Sequence, residues 1–233
     1  MDLIELLPRL HLLRFPVGQA YLWRDGDALT LVDAGPAGSG AEIAEAVTAL
    51  GHRPRSVRRI VLTHFHEDHA GGAAEFAALS GAEVLAHRLE APVVRGDVPG
   101  PEPVFEEWER PLHARALELL PEGDFARPGQ VTEVSGGDVL DLGGGAHVLH
   151  VPGHTDGSIA LHLPEHGVLF TGDTVAASPV DGTVMPGVFN RDGAAVLTAC
   201  RRLAELDTDV ACFGHGDPVR GRAGRTLREA FPP

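Results

Sequence analysis

Lysine is absent from this 233-residue chain, and all 19 basic residues are arginine. That pattern reads as the codon bias of a GC-rich genome, and it excludes imine chemistry, which needs a lysine amine. Cysteine is nearly absent too. Cys200 and Cys212 stand far from any Cys-x-x-Cys spacing, which leaves no disulfide framework and points to two buried thiols in a reducing cytoplasm. Positive charge is short: 33 acidic residues against 19 basic ones give a net charge of -14. A nucleic-acid partner, which needs a basic footprint, is excluded on that ground. No apolar run approaches membrane-spanning length. The start, Met1-Asp2-Leu3-Ile4-Glu5, lacks the basic segment and apolar core of a secretory signal.

With 43% hydrophobic residues and charges of both signs, the chain reads as an ordinary globular protein, expected as a single domain over residues 1–233. Short strands are predicted at 11–15, 20–24 and 28–33, separated by turn signals at Pro16-Val17-Gly18 and Asp25-Gly26-Asp27. Ile43, Val47 and Leu50 recur at helical spacing, and Gly51 stops that helix. A buried strand ends at Thr63, a short helix runs through Phe76 and Leu79, and a strand follows at 83–86. This alternation argues for an α/β architecture. Residues 92–130 carry seven prolines around Trp108, Leu112, Leu117 and Leu120. We read them as an excursion that covers the pocket, with these apolar residues as a packing stripe. Strands are expected again near 131–134, 139–142, 147–151, 159–163, 168–170 and 209–213. Asp192 N-caps one helix, and a last helix spans about 225–230.

What is abundant is histidine beside glycine at strand ends. Thr63-His64-Phe65-His66-Glu67-Asp68-His69-Ala70-Gly71-Gly72 puts three imidazoles and a carboxylate within six residues, directly after an apolar run. Three later segments repeat the theme: Val151-Pro152-Gly153-His154, Leu169-Phe170-Thr171-Gly172-Asp173 and Cys212-Phe213-Gly214-His215-Gly216. His64, His66 and His154 make a three-histidine set that leaves a fourth position open for water. Asp68, His69 and His215 make a second set, and Asp173, with two oxygens, can bridge them. Imidazole and carboxylate without thiolate suit zinc, iron or manganese. The remaining histidines, His11, His52, His87, His113, His147, His150, His162 and His166, have no ligand context.

These motifs resemble those of the metallo-β-lactamase-fold hydrolases, above all the branch similar to glyoxalase II, from Asp33-Ala34-Gly35 to Gly214-His215-Gly216. The resemblance implies a four-layer αββα sandwich of two mixed β-sheets flanked by helices, with two divalent metal ions, zinc first, at one edge. It also implies that Asp33 braces the ligands or their loop; capping a turn is an equal reading of Asp33 alone. The expected function is a metal-dependent hydrolase whose hydroxide, bridging two divalent metals, attacks a small ester, thioester or lactone. Asp68 would orient that nucleophile and carry a proton to the leaving group.

Departures from particular branches narrow the substrate. β-Lactamases of the family usually lack a bridging Asp at the position of Asp173. The acyl-homoserine lactonases place a Tyr where this chain has Ala176, and its sole tyrosine is Tyr21. The basic helical region of glyoxalase II proper and the basic exosites of nucleic-acid-processing relatives are not recognisable. Asp156 stands where relatives often have proline. Residues 92–130 and the loop Val175 to Asn190 are expected to shape a pocket for a small-molecule substrate. The alternative of another class is a mononuclear-iron persulfide dioxygenase, and the third is a non-catalytic metal-binding relative.

Overall fold

Leu10 to Val32 forms three antiparallel strands, and a fourth precedes them. The computed structural model describes residues 1–232, which fall into two compact units, residues 1–100 with 114–134 and residues 101–113 with 135 onward. In the first unit, β1 (Asp2–Leu7), β2 (Leu10–Arg14), β3 (Gln19–Asp25) and β4 (Ala28–Val32) pair as an antiparallel meander. β5 (Val57–Val61), β6 (Glu83–His87) and β7 (Thr132–Val134) extend the same sheet in parallel. Parallel neighbours need a crossover. α1 (Gly40–Ala49) provides the first, and α2 (Glu67–Ala70) with α3 (Ala73–Ser80) the second. Ile43, Val47 and Phe76 are buried in one cluster with Leu22, Leu31, Ile60 and Leu62.

α4 (Ala91–Arg95) opens the proline-rich excursion, and α5 (Arg110–Leu117) lies within it. α5 buries no residue. Trp108, Leu112 and Leu117 are exposed, so they do not form the packing stripe read from their spacing. Helical periodicity marks a face; it does not say that anything covers it.

In the second unit, β8 (Val139–Leu140), β9 (Ala146–His150), β10 (Ile159–Leu163) and β11 (Val168–Phe170) pair antiparallel in sequence. The hairpin β12 (Val175–Ala177) and β13 (Val184–Pro186) forms a separate two-stranded sheet. α6 (Gly193–Ala204) then leads to β14 (Val210–Cys212), parallel to β11, and β15 (Val219–Arg220), antiparallel to β14, before α7 (Ala223–Ala230). Asp192 caps α6 as expected, its carboxylate accepting the Ala195 N–H at 2.9 Å. The mixed sheets and flanking helices agree with the α/β expectation. β1, the β12–β13 hairpin and β15 went unanticipated. β1 buries only one residue and shows no alternation, and the others are too short to show a period. Among the described residues no helix is long and apolar enough to cross a membrane.

Phe76 fills the centre of the first unit's core. Phe76→Ala is expected to cost about 3–5 kcal/mol, read as a shift of the urea midpoint at unchanged slope.

Candidate metal centre

Parallel pairing of β4 and β5 puts Val32 beside Val61, so the next residues of both strands emerge at one edge. Asp33 lies there, 2% exposed, in a left-handed conformation (φ 58°) that few non-glycine residues adopt. Its Oδ1 accepts the Thr63 N–H at 2.7 Å, and its Oδ2 accepts the Thr63 hydroxyl at 2.9 Å. The same Oδ2 lies 2.9 Å from His69 Nδ1. A carboxylate only accepts, so the Thr63 proton is committed to Asp33, and Thr63 Oγ1 accepts from His64 Nδ1 at 3.0 Å. One buried carboxylate thus sets both tautomers and leaves the Nε2 atoms of His64 and His69 as the ring nitrogens able to ligate an ion.

The other members of the cluster sit around these nitrogens. His64 Nε2 lies 3.0 Å from His66 Nδ1, and His69 Nε2 lies 3.6 Å from Asp68 Oδ2. The buried Glu90 accepts the Phe65 N–H at 2.9 Å and pins the loop between His64 and His66. A side chain at Gly72 would bring Cβ to 2.3 Å of the Ala34 carbonyl, so only glycine lets α3 begin so close to the Asp33 loop. Burial, and then the neighbouring Asp68, push the Glu67 carboxyl above its ordinary value.

The second unit repeats the device. β11 and β14 pair in parallel, Phe170 beside Cys212, and deliver Asp173 and His215 to one edge. Asp173 is 7% exposed, and its Oδ2 lies 3.2 Å from His215 Nε2 and 3.6 Å from His154 Nε2. His154, 1% exposed, follows β9. Its Nδ1 faces Asn190 Oδ1 at 3.3 Å, and Asn190 Nδ2 donates to the Gly187 carbonyl at 2.5 Å. Asn190 therefore does for His154 what Asp33 does for His69. Asp156 pairs with Arg191 at 2.6 Å on the surface, which ties the carboxylate left unexplained by its sequence to the residue after Asn190.

These separations suit ligands of a common ion. Two donors about 2.0–2.1 Å from a tetrahedral ion stand about 3.3 Å apart, and the four donor pairs measured within the units lie between 3.0 and 3.6 Å. The thiols take no part. Burial pushes Cys200 up to about 12 and Cys212 well above its ordinary value, so neither offers a thiolate near neutral pH. The first unit brings together His64, His66, Asp68 and His69; the second brings together His154, Asp173 and His215. Sequence reasoning missed Thr63, Glu90 and Asn190, each a common residue type with no motif of its own.

A sequence profile of the metallo-beta-lactamase superfamily matches residues 13–215. A hydroxyacylglutathione hydrolase of Cereibacter sphaeroides is 32% identical over 180 residues, which cover 75% of this chain and 54% of that protein. An acyl-coenzyme A thioesterase of Gallus gallus is 36% identical over 156 residues, covering 63% of this chain and 50% of its own length. The chain therefore spans about half the length of these two relatives. Among solved structures, metallo-beta-lactamase SMB-1 bound to 2-mercaptoethanesulfonate superposes with a TM-score of 0.70 at 23% identity, covering 92% of this chain and 80% of that one. That likeness carries the fold: two mixed sheets with flanking helices.

Asp33→Ala would leave the Thr63 N–H, the Thr63 hydroxyl and the His69 ring without their acceptor. We expect zinc affinity to fall about 10- to 100-fold, with a stability loss of about 1–3 kcal/mol for each buried group stranded. Chelator competition and urea unfolding on the same samples check both.

Proposed function

The chain belongs to the metallo-beta-lactamase superfamily, and from that premise we propose that it is a hydrolase in which two divalent ions promote attack on a small ester, thioester or lactone. The observation that carries the two-ion reading is Asp173, with one buried oxygen near histidines from two different motifs, His154 at 3.6 Å and His215 at 3.2 Å. A carboxylate so placed suits a bridge. In this reading His64, His66 and His154 would hold one ion, Asp68, His69 and His215 the other, and Asp173 would contribute to both. Zinc is the first choice, and the all-nitrogen-and-oxygen donor set also suits iron or manganese.

When bound, the ions supply a water acidified toward neutrality and an electrophilic contact for the oxygen that gains charge. The chain does the rest. Asp33, through Thr63 and His69, fixes the imidazoles before substrate arrives, so no reorganisation is needed during reaction. Asp68 would help hold one ion, orient the attacking water, and carry the proton that this water loses to the leaving group. A thioester is the favoured substrate class within the proposal, because one relative is named an acyl-coenzyme A thioesterase and another a hydroxyacylglutathione hydrolase. A thiolate leaves readily, so the proton donor need only be a carboxyl group.

Elemental analysis of protein purified without added metal is expected to find two divalent ions per chain. Asp68→Asn should lower kcat on thioesters by about 10²- to 10⁴-fold. Fewer than two ions in metal-replete protein ends the two-ion mechanism, and a single iron with oxygen uptake on a glutathione persulfide points to a dioxygenase instead.

A further inference from the structure

Among residues 101–113 only Glu109 is buried, at 5% exposure, and it is a carboxylate. A buried carboxylate is costly to place unless its oxygens are occupied. Backbone groups fill both. Oε2 accepts the Glu106 N–H at 2.7 Å, closing a reciprocal capping box with the Glu106 side chain. Oε1 accepts the Phe189 N–H at 3.0 Å, across 80 positions of sequence.

Phe189 is the residue that needs such a hold. Its φ of 61° is left-handed, a conformation rare for a bulky side chain and kept only when the surroundings over-determine it. Its ring stands edge-to-face with Phe105 at 5.6 Å and His113 at 5.3 Å, so residues 101–113 grip it by ring as well as by amide. Asn190 follows directly, facing His154 Nδ1 at 3.3 Å. The corner also touches Asp173: a Cβ at Gly187 would lie 1.9 Å from the Asp173 carbonyl.

We propose that Glu109 is a positioning residue for the metal centre: by holding Phe189 left-handed it sets the Asn190 side chain, which fixes the tautomer and orientation of His154. The inference rests on the reading of His154 as a ligand. It makes residues 101–113 part of the ion-binding apparatus and couples their displacement to one of the two ions.

The test is zinc affinity, measured by competition with a chromophoric chelator on wild-type protein, Glu109→Ala, and Glu109→Ala with Phe189→Asn. Asparagine tolerates the left-handed region and should restore the corner without the carboxylate. Glu109→Ala is expected to weaken one zinc ion about 10- to 100-fold, to leave the other within about twofold, and to speed hydrogen exchange at the residue 189 amide. The double variant is expected to recover most of the lost affinity. Unchanged affinity for both ions, or equal weakening of both with a lowered Tm and no recovery, overturns the proposal. A wild-type chain that takes up no zinc sinks the ligand assignment itself, and this proposal with it, in a reading separate from the variant series.

Discussion

The Asp33 carboxylate is the contact on which the geometry of the histidine cluster depends. It is buried, it sits in a left-handed residue, and it accepts from the Thr63 N–H, the Thr63 hydroxyl and His69 Nδ1. The first two bonds lock the end of β5 to the end of β4. The third orients one imidazole directly, and Thr63 passes the constraint to a second, at His64. Polar groups without acceptors in such a place would each cost a desolvation penalty, so losing the carboxylate would strand three groups at once. The three bonds support one another, and the ring nitrogens are presented in one way.

The sheets make that contact attainable. In each unit neighbouring parallel strands end at the same edge: β4, which leads to Asp33, and β5, which leads to His64, in the first; β11, which leads to Asp173, and β14, which leads to His215, in the second. Side chains at the ends of hydrogen-bonded parallel strands start about 4.8 Å apart, close enough for the groups just beyond the two ends to meet. Glycines then let the returning backbone come closer than any side chain would allow, at Gly72 against Ala34 and at Gly187 against Asp173.

Much of this was legible beforehand. The strands at residues 10–32, 57–61, 83–87, 159–163 and 168–170 announce themselves by apolar runs bounded by turn residues, and α6 by Asp192 and its buried face. The opening His-x-His-x-Asp-His cluster and the strand-end positions of His154, Asp173 and His215 were equally plain. The packing stripe at Trp108, Leu112 and Leu117 was misread, because an apolar spacing on a helix is the same whether or not another surface covers it. The short strands β12, β13 and β15 carry too few residues for any period to emerge.

The sequence by itself determined which residues can bind metal and which strand ends carry them, since ligand chemistry and short-range spacing are properties of contiguous segments. It determined as well that neither cysteine would serve and that no lysine chemistry was on offer. Only the tertiary structure decided which partners these groups meet: Asp33 across 30 and 36 positions to Thr63 and His69, Asn190 across 36 to His154, and Glu109 across 80 to Phe189. A carboxylate or an amide is an acceptor anywhere in a chain. It becomes a specific partner only when folding buries it beside one donor and removes the water that would otherwise compete.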